Sequence, residues 1–191
     1  SLGNTYSQIA MTYAHMKQPE LATPWFQKSL VQARKDRNTR FEVNALNNMA
    51  SHYHTLKKTD SSTYYYGELL KREAQLNPFQ KMGTYLSIAR IKVEKNQIED
   101  ASNYLDKAKA LNIPKGRANH NIAFLSIEQK IERKRGNFNQ AEVLLDSVIH
   151  MSGNGKMNQI NYPFLLEKAE LYEEQENYKK ALITFNRYTA I

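Results

Sequence analysis

The chain has 191 residues, 41% apolar and 10% aromatic, which is enough for a continuous hydrophobic core and leaves one domain or two open. It contains no cysteine, so disulfide scaffolds and thiolate metal sites are excluded while reducing and oxidising compartments both stay open. A net charge of +8 favours acidic partners in general, through an attraction that salt screens.

In chain order the hydrophobic periodicity predicts ten helices, at about 4–16, 19–36, 39–57, 60–76, 78–95, 97–111, 114–135, 137–151, 161–175 and 177–190. The first residues, Ser1 to Tyr6, carry no basic leader, so a targeting signal would lie upstream. Asp60 is placed to cap a helix start, Thr39 with Glu42 to form a capping box, and Pro78 and Pro114 to occupy first turns. Gly136-Asn137 and Glu176-Asn177 read as tight turns, and Ser152-Gly153-Asn154-Gly155 as a longer loop. No apolar run nears the roughly 20 residues that span a bilayer, Ile122 to Ile127 being short. The segment is therefore not expected to insert into a membrane, and its compartment, cytoplasm or periplasm, stays open.

A small residue recurs as Ala22, Ser62, Ala101, Ala141 and Ala181, each followed four residues later by a bulky one, Phe26, Tyr66, Leu105, Leu145 and Phe185. Twelve residues before four of these stands another alanine, at Ala10, Ala50, Ala89 and Ala169. Tyr13, Tyr53 and Tyr172 follow three of those alanines by three residues. Such a period is the mark of stacked helix pairs: small side chains let two antiparallel helices approach, and large ones a turn away fill the flanks. In the fourth repeat Gln129 and Glu132 stand where the alanine and tyrosine belong. Ile127 and Ile131 suggest a one-residue change of register there.

Leu46-Asn47-Asn48-Met49-Ala50-Ser51-His52-Tyr53 and Glu176-Asn177-Tyr178-Lys179-Lys180-Ala181-Leu182 resemble the first-helix and second-helix signatures of the tetratricopeptide repeat (TPR) family, over nearly the whole chain. The period of about 40 departs from the usual 34, so each repeat carries extra residues that would lengthen its second helix or its linker. The resemblance implies an all-α, right-handed α-solenoid of five helix pairs, ten antiparallel helices forming one repeat domain over 1–191. Its repeats would be 3–38, 39–77, 78–113, 114–156 and 157–191. With Phe185 and Tyr188 on a surface that no later helix in the chain covers, the expected reading is a fragment of a longer protein, or an end that self-associates through its uncapped last helix.

No catalytic constellation is present. The histidines His15, His52, His54, His120 and His150 lack the spacing of a helical zinc site, and Gly153-Asn154-Gly155-Lys156 is too short for a phosphate-binding loop. Glu167, Glu170, Glu173, Glu174 and Glu176 fit a solvated helix face better than paired catalytic carboxylates. Neither enzyme activity, nor a cofactor, nor a metal is expected. Of Tyr64, Tyr65 and Tyr66, the last falls on the core position.

In the family the first helices line a concave groove. Carried onto this chain, the resemblance makes Asn4, Ser7, Gln8 and Met11, then Asn44, Asn47, Asn48 and Ser51, then Leu86, Ser87 and Arg90 the groove-facing candidates, with Lys130 farther along. Asn and Gln both donate and accept, so a row of them can pair with the backbone of an extended peptide. Asn48→Ala is expected to weaken binding and leave stability nearly unchanged. The carboxylate clamp known from the family is not matched, because Ser7 and Met11 stand where it needs lysine and asparagine. Lys130, Arg133 and Lys134 beside the glutamates of the fifth repeat suggest a groove that changes sign along its length. The functional expectation is a protein- or peptide-binding module, the sensory or regulatory region of a larger bacterial signalling protein. A passive assembly scaffold is the alternative, and a nucleic-acid-binding helical repeat rests on the charge alone.

Overall fold

The computed structural model describes residues 2–111, 113, 118–152 and 161–189, and among them the periodicity becomes ten α-helices, one 3-10 turn and no strand. The helices are α1 (Leu2–His15), α2 (Pro19–Lys35), α3 (Thr39–Thr55), α4 (Thr59–Leu70), α5 (Pro78–Glu94), α6 (Ile98–Lys109), α7 (Ala118–Lys134), α8 (Phe138–Ser152), α9 (Tyr162–Glu174) and α10 (Tyr178–Thr189). They form five helix pairs, an all-α repeat architecture of the solenoid class. Two compact units, Ser1–Thr84 and Tyr85–Ile191, divide the chain within α5. In the first, α1 packs on α2, α2 on α3 and α3 on α4; in the second, α6 through α10 pack in succession. Pro114, the Gly153–Lys156 loop and Ile191 lie outside the described residues, as do the side chains of His120 and Tyr188.

The small residues are the close-approach points. Ala22, Ser62, Ala101 and Ala141 are fully buried, as are Ala10, Ala50 and Ala89 on the first helices. The bulky residues Phe26, Tyr66, Leu105 and Leu145 are buried beside them, whereas Phe185 on α10 is 42% exposed. Where the small residue is serine, its hydroxyl is used. Ser62 Oγ donates to the Ala50 carbonyl at 2.8 Å, and Ser29 Oγ to the Gly3 carbonyl at 2.8 Å. Both bonds satisfy a buried polar group across a helix pair.

Each turn within a pair uses one backbone solution. Lys17, Lys57, Asn96, Gly136 and Glu176 take positive φ, and the next N–H reaches the carbonyl five residues back, as in Lys58 to Tyr53 at 2.9 Å and Asn177 to Tyr172 at 2.9 Å. That is the Schellman ending, and Gly136 alone among the five meets it without a Cβ penalty.

Helix starts were harder to read. Asn38, not Thr39, caps α3, its Oδ1 accepting from Phe41 N–H at 3.1 Å, while Glu42 turns to Arg34 at 3.0 Å and Arg72 at 2.8 Å. Asp60 lies inside the first turn of α4, where a carboxylate favours the helix dipole, and Lys58 holds the cap position. At α5 Pro78 is the first residue as expected, and Asn77 and Gln80 form a reciprocal capping box of 3.0 and 2.9 Å.

The extra length of the repeat falls in different places: the second helix is the longer in the first pair, 17 residues in α2 against 14 in α1, whereas α4 and α6 have 12 against 17 in α3 and α5, and α4 stops at Leu70 before a linker with the 3-10 turn Glu73–Gln75. The fourth repeat does not change register. Gln129 and Ile131 are buried as Ala50 and His52, Ala89 and Ile91, and Ala169 and Leu171 are. Gln129 occupies the alanine position itself.

Candidate functional site

Two cavities open on the face of α3. The first, about 490 Å³, lies between α1 and α3, with Met11, Asn48, Ser51 and His52 on its walls and Phe26 of α2 behind them. His15 and Lys17 stand at its edge. The second, about 360 Å³, is lined by the amides of Asn44, Asn47, Asn77 and Gln80, with Phe79 beside them. Helical spacing places Asn44, Asn47, Asn48 and Ser51 along one stripe of α3, which is why one helix serves both cavities.

The amides are not equivalent. Asn48 is half-buried and donates from Nδ2 to Ser7 Oγ at 2.9 Å, so its amide ties α3 to α1. Asn44 Oδ1 accepts from Gln80 Nε2 at 3.2 Å. Asn47 is exposed and spends its side chain on no protein partner. It is the amide with both its donor and acceptor open to a ligand.

His52 is buried, its Nε2 2.7 Å from Thr23 Oγ1 and its ring 4.9 Å from that of Phe26. Burial holds its pKa below the ordinary 6.5, Glu20 pulls the other way and Lys58 adds to the depression. The His52 ring therefore faces the cavity uncharged at neutral pH.

Of the remaining expected residues, Asn4 and Gln8 are exposed on α1 and line neither cavity. In the second unit Arg90 is exposed, Ser87 half-buried, and Leu86 is buried in the core. Lys130 pairs with Glu167 at 2.8 Å. Arg133 forks onto Glu174 at 2.7 and 2.9 Å and lies 3.6 Å from Glu170. That fork holds the Glu174 carboxyl below its ordinary range and the Arg133 guanidinium above its own. The expected change of sign is absent here: the bases of α7 and the acids of α9 neutralise one another along their own seam.

Sequence reasoning missed Asn77, Phe79, Gln80 and the role of His52. The signal for the first three was the Asn-Pro-Phe-Gln capping pattern, which fixes where α5 begins and so which side chains reach α3. Among the described residues no group of three or more His, Asp or Glu is placed to hold a metal ion, and no helix is long and apolar enough to cross a membrane.

No protein-family model matches the chain, and no curated protein matches it in sequence. Solved structures do. One is the nearly identical TPR-like repeats of a kinesin light chain from Podosopora anserina, with TM-score 0.72 and 14% identity over 98% of this chain and 92% of that one. NprR in complex with its cognate peptide NprX gives TM-score 0.78 at 14% identity, over 96% of this chain and 53% of that one. PilW, a type IV pilus biogenesis factor, gives TM-score 0.68 at 18% identity, over 100% of this chain and 77% of that one. The fold of this chain is of the tetratricopeptide type.

Proposed function

We propose that the chain is a protein- or peptide-binding module, the sensory or regulatory region of a larger bacterial signalling protein, and that the α3 face receives the ligand. The observation that carries this reading is the pair of cavities sharing one helix, with Met11, Asn48 and Ser51 at one and Asn44 and Asn47 at the other. A peptide alternates N–H and C=O groups along its backbone, and an amide can meet one of each; Asn47 has both to offer. The resemblance in fold to NprR, whose structure holds a peptide, supports the same use.

The test is selection of a random dodecamer display library on the wild-type chain, followed by fluorescence anisotropy of the enriched peptides. Asn47→Ala is expected to weaken them about tenfold, the scale of one lost interfacial contact above 1 kcal/mol, with the melting temperature unchanged. Absence of any enriched peptide overturns the reading.

A further inference from the structure

The two cavities differ in chemistry. In the amide cavity Asn47 is open to hydrogen bonding, whereas around the α1–α3 cavity several polar groups are engaged within the protein. Asn48 Nδ2 serves Ser7, Thr55 Oγ1 donates to the Ser51 carbonyl at 3.2 Å, and Thr23 meets the ring of His52. Most of the surface lining that cavity is apolar: Met11, 40% exposed, on one wall, Phe26 behind and Ala14 at the side. Methionine is unbranched and polarizable, and a wall of this kind adapts to an inserted side chain.

Its rim carries lysines, with Glu20 also near enough to act on His52. Lys17, in the α1–α2 turn, lines the cavity, and Lys58, in the α3–α4 turn, is near enough to act on His52. Lys57 adjoins it. None of these three lysines is in an ion pair, unlike Arg34, Lys71 and Arg72 of the same unit. The nearby carboxylates Glu20 and Asp60 sit in the first turns of α2 and α4, where the helix dipoles already favour them. Across Ser1–Thr84 eleven lysines and arginines face six acids.

We propose that the α1–α3 cavity is a specificity pocket for one large apolar side chain of an acidic peptide, whose flanking carboxylates meet Lys17 and Lys58. This rests on the peptide-binding reading above. Burial of the anchor supplies the affinity, and the lysines supply orientation and a salt-dependent encounter rate.

The same dodecamer selection tests it. Enriched peptides are expected to share Leu, Ile, Met or Phe within two positions of Asp or Glu. Replacing that apolar residue of the peptide by alanine should weaken binding about tenfold, and so should Ala14→Trp, which fills the cavity from an exposed position. Lys17→Glu with Lys58→Glu should weaken it about threefold to tenfold and flatten its salt dependence. Enriched peptides without the acidic-apolar pairing overturn the pocket, as do peptides that lose binding to Asn47→Ala but ignore Ala14→Trp and their own alanine substitution. Either result leaves the peptide-binding reading standing. No enrichment at all overturns both.

Discussion

Asn48 donates an amide hydrogen to the Ser7 hydroxyl at 2.9 Å, joining α3 to α1 across 41 residues of sequence. Ser7 is buried, so removing the amide strands a hydroxyl that water does not readily reach. Asn48→Ala is therefore expected to cost about 1–2 kcal/mol in urea unfolding, against the near-neutral result the sequence suggested. Asn47→Ala, one residue away and exposed, should stay within about 0.5 kcal/mol of wild type. In the double variant Ser7→Ala with Asn48→Ala the cost should be less than the sum of the two singles, because one bond is lost in each.

That contrast shows what can and cannot be read from a sequence of this kind. The repeat was legible because it is set by steric necessity: Ala22, Ser62, Ala101 and Ala141 are buried at a fixed period, and no larger residue fits there without moving a helix. That Asn48 and Ser51 share one stripe of α3 was legible from helical spacing, and both line the α1–α3 cavity with Met11 of α1. The hydrogen-bond commitments were not. Whether Asn48 answers Ser7 or a ligand, and whether Lys130 faces solvent or Glu167, depends on how adjacent repeats pack, which periodicity leaves open. Capping failed for a local reason: Asn38 and Thr39 both suit an N-cap, and a one-residue choice decided whether Glu42 faced its own backbone or two arginines.

Glu176 has φ 56°, in the left-handed region, at the turn where the preceding repeat has Gly136 with φ 80°. A Cβ in that conformation costs about 1–2 kcal/mol, partly offset by the greater entropy glycine brings to the unfolded chain. Glu176→Gly is expected to raise stability by about 0.5–1 kcal/mol, seen as a higher melting temperature with an unchanged helical signal. A decrease would mean that the glutamate side chain contributes more than its backbone strain takes away.

Gln129 is fully buried on α7, in the position the other repeats give to alanine. Its Nε2 donates to Glu167 Oε2 at 2.7 Å, but its Oε1 has no hydrogen-bond partner. A stranded acceptor costs about 1–3 kcal/mol, and Glu167 keeps its 2.8 Å pair with Lys130 when the glutamine is removed. Gln129→Met, close in volume and without the acceptor, is expected to be neutral or stabilising in denaturant unfolding. A loss above about 1 kcal/mol would show that the amide–carboxylate bond outweighs the unpaired oxygen.

His52 makes stability depend on pH with a definite sign. Burial lowers its pKa below the 6.5 of the unfolded chain, so between those two values the unfolded state binds the proton more readily than the folded one. The contribution of this residue is complete above 6.5 and declines as pH falls through 6.5 toward the lower folded value. Below both it is constant and reduced. Urea unfolding of wild type and His52→Gln at intervals from about pH 7.5 to 5 should show a wild-type slope larger by at most about 1.4 kcal/mol per pH unit. The neighbours set a second comparison, because Glu20 opposes the depression and Lys58 adds to it. Glu20→Gln should extend the pH window over which stability is lost, and Lys58→Gln should narrow it. If all four proteins share one pH profile, the proton is being taken up elsewhere and His52 is not the titrating group.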